Sequence, residues 1–228
     1  MSKKNYVSVI YNLTSRPFTG YPYHLIDYLR HRYNILPASK LLDYGCGRGD
    51  FLCEFIDAGI DAFGVDQSSI ASQICDPSRI YIGDLERESL PFADNSFDYV
   101  FSKSVCEHFY DPGIMFAEIY RVLKPGGLVI TMCPSWEYCY RIYFEDYTHR
   151  SPFMRSSLRD IHLMNGFENV SCNFFLQLPS TWNGRFKTLF KLLAWLTRRL
   201  VPNFFNSRFK WVRFSKEVML LASATKPN

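Results

Sequence analysis

The stretch "KLLDYGCGRGDFLCEFIDAG", residues 40–59, constrains the fold more than any other part of this 228-residue chain. A short apolar run ends at Asp43-Tyr44-Gly45-Cys46-Gly47-Arg48-Gly49, and Phe51, Leu52, Phe55 and Ile56 follow at helical spacing before Gly59. A strand therefore turns through glycines directly into a helix. Glycine belongs where a backbone needs unusual torsions or where a ligand must approach with no Cβ in the way. A plain tight turn would use the same residues, and the dinucleotide fingerprint G-x-G-x-x-G is not met, because the third glycine comes one residue early.

The rest of the chain alternates in the same way. "DAFGVD", "SRIYIGD", "FDYVFS" and "LVITMC" read as four further strands, each with a loop at its end. "DPGIMFAEIYRVL" reads as a helix with Asp111 as N-cap, Pro112 at its first position and "KPGG" at its end. "SPFMRSSLRDIHLMNGF" reads as another, with Ser151 as N-cap and Gly166 near its end, and "ENVSCNFF" and "EVMLLASATK" complete seven strands. Alternating strands and helices predict an α/β fold with a mostly parallel sheet and helices on both faces, with ligands at the C-terminal strand ends. Residues 1–24 are expected to be an irregular lead into the helix "YHLIDYLRHRY", and residues 178–214 a helical insertion the sheet does not require.

Composition bounds the class. With 47% hydrophobic and 21% charged residues the balance is globular. The seven cysteines (46, 53, 75, 106, 133, 139, 172) include no C-x-x-C pair and no partner histidines at zinc-site spacing, so reduced thiols and no metal are expected. No leader is expected, since residues 1–20 have no continuous apolar run, and no run of about 18 apolar residues could span a bilayer. The expected location is cytoplasmic. The net charge of +4 is segregated: nine Lys and Arg and no acid lie between Asn169 and Lys216, leaving 17 basic and 22 acidic residues elsewhere.

Three strand ends offer parts of one nucleoside site. Asp66 follows Gly45 by 21 residues, the separation at which a carboxylate accepts from both hydroxyls of a ribose, although capping the next turn through Ser68 and Ser69 would use the same residue. Asp84 is placed to accept from an adenine amino group and Leu85 to pack on the ring. "LLDYGCGRGDF", "GVDQS", "GDLERESLPFADNSFDYVFSKSVCEHFYDP" and "RVLKPGGLVITMCP" together resemble the motifs of class I S-adenosylmethionine-dependent methyltransferases, in order and spacing, over residues 38–135. That resemblance implies a Rossmann-like methyltransferase with S-adenosylmethionine as cofactor and S-adenosylhomocysteine as product. It places Asp43, Gly45, Cys46 and Gly47 at the methionine end, Asp66 and Gln67 at the ribose, Asp84 and Leu85 at the adenine, and Ser102 and Lys103 near the sulfur. Residues 1–37 would be the lead and first helix, 38–135 the cofactor-binding core and 136–228 the acceptor side of one domain.

"FEDYTHRSPFMRSSLRDIHLMNGF" follows the fifth strand, on the rim where an acceptor must lie. It resembles an Asp-x-Thr-His-x-Arg-Pro-Phe segment of methyltransferases associated with surface-polysaccharide and lipopolysaccharide biosynthesis, except that Arg150 follows the histidine directly and Ser151 stands in the arginine place. O-Methylation of a sugar or glycan-lipid intermediate is the expectation this implies. A small aromatic or lipid-like acceptor such as a quinone precursor, and a cofactor-binding protein without turnover, are the alternatives. A hydroxyl nucleophile must lose a proton, which suits a histidine with an unperturbed pKa near 6.5. His149, oriented by Asp146, is the expected general base; His108, beside Glu107, is the rival. A hydrogen-bonded loop anchor is the ordinary reading of the same residues.

The insertion "WNGRFKTLFKLLAWLTRRLVPNFF", residues 182–205, sets Phe186, Leu189, Phe190, Leu193, Leu196 and Leu200 on one helical face, with Lys187, Lys191, Arg198 and Arg199 largely opposite and Trp195 on the polar side. Such a helix fits peripheral contact with the inner membrane face, and equally an ordinary amphipathic helix packed on the sheet or on another subunit. No nucleic-acid-binding module is legible, and the pattern does not address the oligomeric state.

Overall fold

A computed structural model describes residues 17–202 and 209–228. After helix α1 (Tyr21–Tyr33), strands and helices alternate as β1 (Lys40–Tyr44), α2 (Asp50–Asp57), β2 (Asp61–Asp66), β3 (Ile80–Ile82), β4 (Phe97–Lys103), α3 (Pro112–Val122) and β5 (Leu123–Pro134). Then come α4 (Arg155–Met164), β6 (Glu168–Leu176), α5 (Lys187–Leu200), α6 (Lys210–Lys216) and β7 (Val218–Thr225). The seven strands form one sheet in the order β3-β2-β1-β4-β5-β7-β6. The pairings from β3 to β5 are parallel, and β7 runs antiparallel to both β5 and β6. The chain steps from β1 toward β3 and then returns to the other side of β1 with β4. That reversal opens a crevice at the carboxyl ends of β1 and β4.

The central strands are buried on both faces, as a parallel sheet requires, and neighbouring residues on a strand serve opposite cores. Leu42, Val100, Val129 and Ala222 pack with Phe116, Ile119 and Leu158 of α3 and α4. Leu41, Phe101, Ile130 and Leu221 pack with Leu25, Leu29 and Phe55 of α1 and α2. This alternation is the period of two that a pleated strand imposes.

Four local expectations are corrected. Helix α1 begins at Tyr21 with Pro22 in its first turn, earlier than the predicted lead allows; residues 1–16 of that lead lie outside the described residues. Helix α4 begins at Arg155, not at Ser151: the Ser151 hydroxyl donates to the Phe109 carbonyl (2.9 Å) and Phe153 bridges Ser135, so the chain is still extended there. Strand β5 starts at Leu123 and carries "KPGG" with it, with a register shift against β4. Cys53 and Cys75 form a disulfide, Cα–Cα 6.2 Å, because α2 and the turn after β2 bring together residues 22 apart. The expectation of seven reduced thiols therefore fails for this pair; the other five cysteines are free.

The insertion is helical as predicted, and its apolar stripe is not packed on the sheet. Helix α5 buries Ala194, sets Phe190 edge-to-face against Trp211 of α6 (5.9 Å) and accepts the Trp211 indole N–H at Thr197 Oγ1 (3.0 Å). Leu189, Leu193 and Leu200 of the predicted face are 51%, 40% and 72% exposed. No helix among the described residues is long and apolar enough to cross a membrane.

Candidate functional site

A cleft of about 490 Å³ opens at the ends of β1, β2 and β4. One wall is the glycine turn, in which Gly45, Gly47 and Gly49 all take positive φ (77°, 56° and 88°). A Cβ on Gly45 would lie 2.3 Å from Val105 Cγ2, so glycine is required there both by torsion and by space. A Cβ on Gly47 would meet nothing within 4 Å. Since Gly47 lines the cleft, the missing side chain leaves room for a ligand.

Asp66 ties the second strand to this turn. Its Oδ2 accepts from the Gly47 amide (2.7 Å) and its Oδ1 from the Ser68 amide (2.8 Å). The capping role is thus present, and each oxygen keeps a second lone-pair direction for a ribose hydroxyl. Burial pushes the Asp66 carboxyl up, opposed by those amides. Asp43 is buried in β1 with Oδ2 unpartnered. Desolvation, helped by the charge of Asp66 and opposed by Lys103, pushes its carboxyl up to about 8.

Of the predicted cofactor residues, Gly45, Cys46, Gly47, Asp66, Gln67, Leu85 and Lys103 line the cleft. Asp43, Asp84 and Ser102 do not. The Ser102 hydroxyl is buried and donates to the Tyr44 carbonyl (3.0 Å), bracing β4 on β1. Asp84 Oδ1 accepts from the Glu86 amide (3.1 Å), which turns the carboxylate into its own loop. Glu86 lines the cleft instead and accepts the Tyr110 amide (3.0 Å). The sequence reading also missed Ser104, which leaves β4 at φ 60° and turns the chain toward the cleft. An unusual torsion on a serine has no sequence signature.

At the other end the cleft is lined by His108, Phe109, Tyr110, Thr148 and Arg150. Arg150 stacks over the Tyr110 ring at 5.1 Å. The Thr148 hydroxyl donates to Asp146 Oδ1 (2.6 Å), because an ionised carboxylate can only accept. His108 Nδ1 then donates to Thr148 Oγ1 (2.9 Å), an assignment made from this network. The orienting contact expected between Asp146 and His149 is an ion-pair distance of 4.0 Å, and Asp146 reaches His108 through Thr148 instead. His149 does not line the cleft. Its Nδ1 donates to the Tyr143 carbonyl (2.6 Å), and its ring packs against His108 at 4.9 Å. Burial, with the neighbouring His149, lowers His108 to about 4, and burial lowers His149. Glu107 is fully buried, which pushes its carboxyl up to about 8.

Residues 42–131 match the family described as a methyltransferase domain. An uncharacterized methyltransferase of Mycobacterium leprae is 38% identical over 100 residues, which cover 42% of this chain and 37% of that protein. The chain thus spans little more than a third of such a relative. Among solved structures, a SAM-dependent methyltransferase from Archaeoglobus fulgidus superposes with a TM-score of 0.66 over 97% of this chain and 100% of its own, at 19% identity. Haemonchus contortus phosphoethanolamine N-methyltransferase 2, solved with phosphomonomethylethanolamine and S-adenosylhomocysteine, gives 0.61 over 89% of this chain and 52% of its own, at 20% identity. The fold is the Rossmann-like α/β fold that these methyltransferase structures share.

Proposed function

We propose that the chain transfers the methyl group of S-adenosylmethionine to a hydroxyl of a sugar or glycan-lipid acceptor. One observation carries this reading: a single cleft runs from Gly47 and Asp66 to His108, Thr148 and Arg150, so a cofactor at one end and an acceptor at the other can meet in line. The residues fit the cofactor. Gly47 leaves space where a side chain would stand, and Asp66 lines the cleft beside it as a hydrogen-bond acceptor. Asp66 would hold the ribose and Leu85 would cover the adenine. Bound there, S-adenosylmethionine supplies an electrophilic methyl group and a sulfide leaving group.

The chain's own part is alignment, which in favourable cases accounts for about 7–11 kcal/mol of a barrier. His108, held by Thr148, and Arg150, held over Tyr110, shape the acceptor end. An exposed tyrosine face beside an arginine suits the apolar face and hydroxyls of a sugar ring. The exposed apolar side of α5, with Lys187, Lys191 and Arg199 exposed beside it, supports peripheral contact with an anionic bilayer, where a lipid-linked acceptor would be presented.

The test is calorimetry with S-adenosylmethionine, followed by transfer assays against lipid-linked sugars and small phenols, with and without anionic vesicles. Binding of the cofactor and turnover of a sugar hydroxyl are expected. No cofactor binding would overturn the reading, and turnover of phenols alone would replace the acceptor.

A further inference from the structure

We propose that Glu107, His108 and His149 hold a divalent transition-metal cation at the acceptor end of the cleft. One donor atom from each of the three lies within 4.8 Å of the others. A cation with ligands about 2.1 Å away holds them roughly 3–3.5 Å apart, so the set closes by at most about 1.5 Å on binding. Glu107 supplies the second, independent observation. Its Oε1 is fully buried and has no hydrogen-bond partner, a state that costs free energy unless something compensates it.

The surroundings of the two rings match what metal-bound histidines need. Such a histidine donates its other N–H to a carbonyl or toward a carboxylate, which fixes the ring and makes it a better ligand. His149 Nδ1 donates to the Tyr143 carbonyl, and His108 Nδ1 donates to Thr148, which in turn donates to Asp146. Both rings are thereby turned so that Nε2 is the ligating nitrogen. Two imidazoles and one carboxylate suit zinc, cobalt or manganese better than magnesium. Three protein ligands leave a position for a further oxygen, and His108 borders the cleft from which it would come. This last role rests on the methyl-transfer reading: an acceptor hydroxyl bound there would release its proton to solvent near neutral pH, and the histidines would act as ligands and not as bases.

The test uses the untagged full chain, stripped with a chelator and titrated calorimetrically with Zn²⁺ and Co²⁺ in the absence of S-adenosylmethionine. One cation per chain is expected, with affinity falling about tenfold or more in Glu107→Gln and in His149→Ala, and unchanged in Cys172→Ser, which controls for binding to a thiol. Should Glu107→Gln fail to fold, His149→Ala carries the comparison. No binding by the stripped wild type would overturn the proposal, as would wild-type affinity in a folded His149→Ala. Cation binding in a chain that does not bind S-adenosylmethionine would uphold the metal site while removing the methyl-transfer reading.

Discussion

Thr148 Oγ1 and His108 Nδ1 meet at 2.9 Å although 40 residues separate them in the chain. The hydroxyl stands between the Asp146 carboxylate and the imidazole, so the loop after β5 orients a residue of the loop after β4. Both loops emerge at the same strand ends, which is why a contact of this range can be short and specific.

Thr148→Val removes the hydroxyl and keeps the shape. Its expected effect is a loss of about tenfold in the single-turnover transfer rate with unchanged S-adenosylmethionine affinity, and Thr148→Ser should restore most of that rate. A merely structural threonine would instead lower the melting temperature and leave turnover intact in the folded fraction.

Asp66→Asn keeps an acceptor for one backbone amide and removes the charge. Cofactor affinity should fall by about 1.5–3 kcal/mol, the range for hydrogen bonds to a charged group. Calorimetry showing wild-type affinity would reject Asp66 as the ribose acceptor.

Gly45→Ala places a methyl group 2.3 Å from Val105 Cγ2 at a φ of +77°. Torsional strain and overpacking each cost about 1–3 kcal/mol, so a clear drop in melting temperature is expected. Adding Val105→Ala should recover only the packing part. A double variant as stable as wild type would show that the torsion is no constraint.

His162 gives the fold a pH dependence of known sign. It is fully buried beside Phe116, donates from Nδ1 to the Leu158 carbonyl (2.6 Å) and accepts from Thr131 at Nε2 (3.2 Å). Burial lowers its pKa to about 4, below the unfolded value near 6.5. Between these values the unfolded chain binds the proton and the folded one does not. This contribution is therefore fully present above pH 6.5 and is lost as pH falls toward 4, by about 3 kcal/mol in all at 1.4 kcal/mol per unit. Denaturant melts of wild type and His162→Gln across this range should show a shallower slope for the variant.

The strand ends were legible in sequence because glycine and aspartate mark them: Gly45, Gly47 and Asp66 stand where spacing put them. Asp84 was misplaced because a strand-end acid can turn to its own loop as easily as to a ligand, and only the Glu86 amide decides between them. Thr148 was overlooked between two residues of more obvious chemistry. The stripe on α5 was legible as amphipathic, but not which surface it meets, since helical periodicity defines a face without saying what covers it. The Cys53–Cys75 pair has no spacing signal at all.

Strand β7 lies between β5 and β6 and is antiparallel to both, though it follows them in the chain by the whole insertion. During translation, therefore, β5 waits with an open edge and β6 with no partner until residues 218–225 have emerged. A truncation or fusion that disturbs those eight residues would do more than shorten an end. It would leave two strand edges available to neighbouring chains, and aggregation would result rather than a frayed terminus.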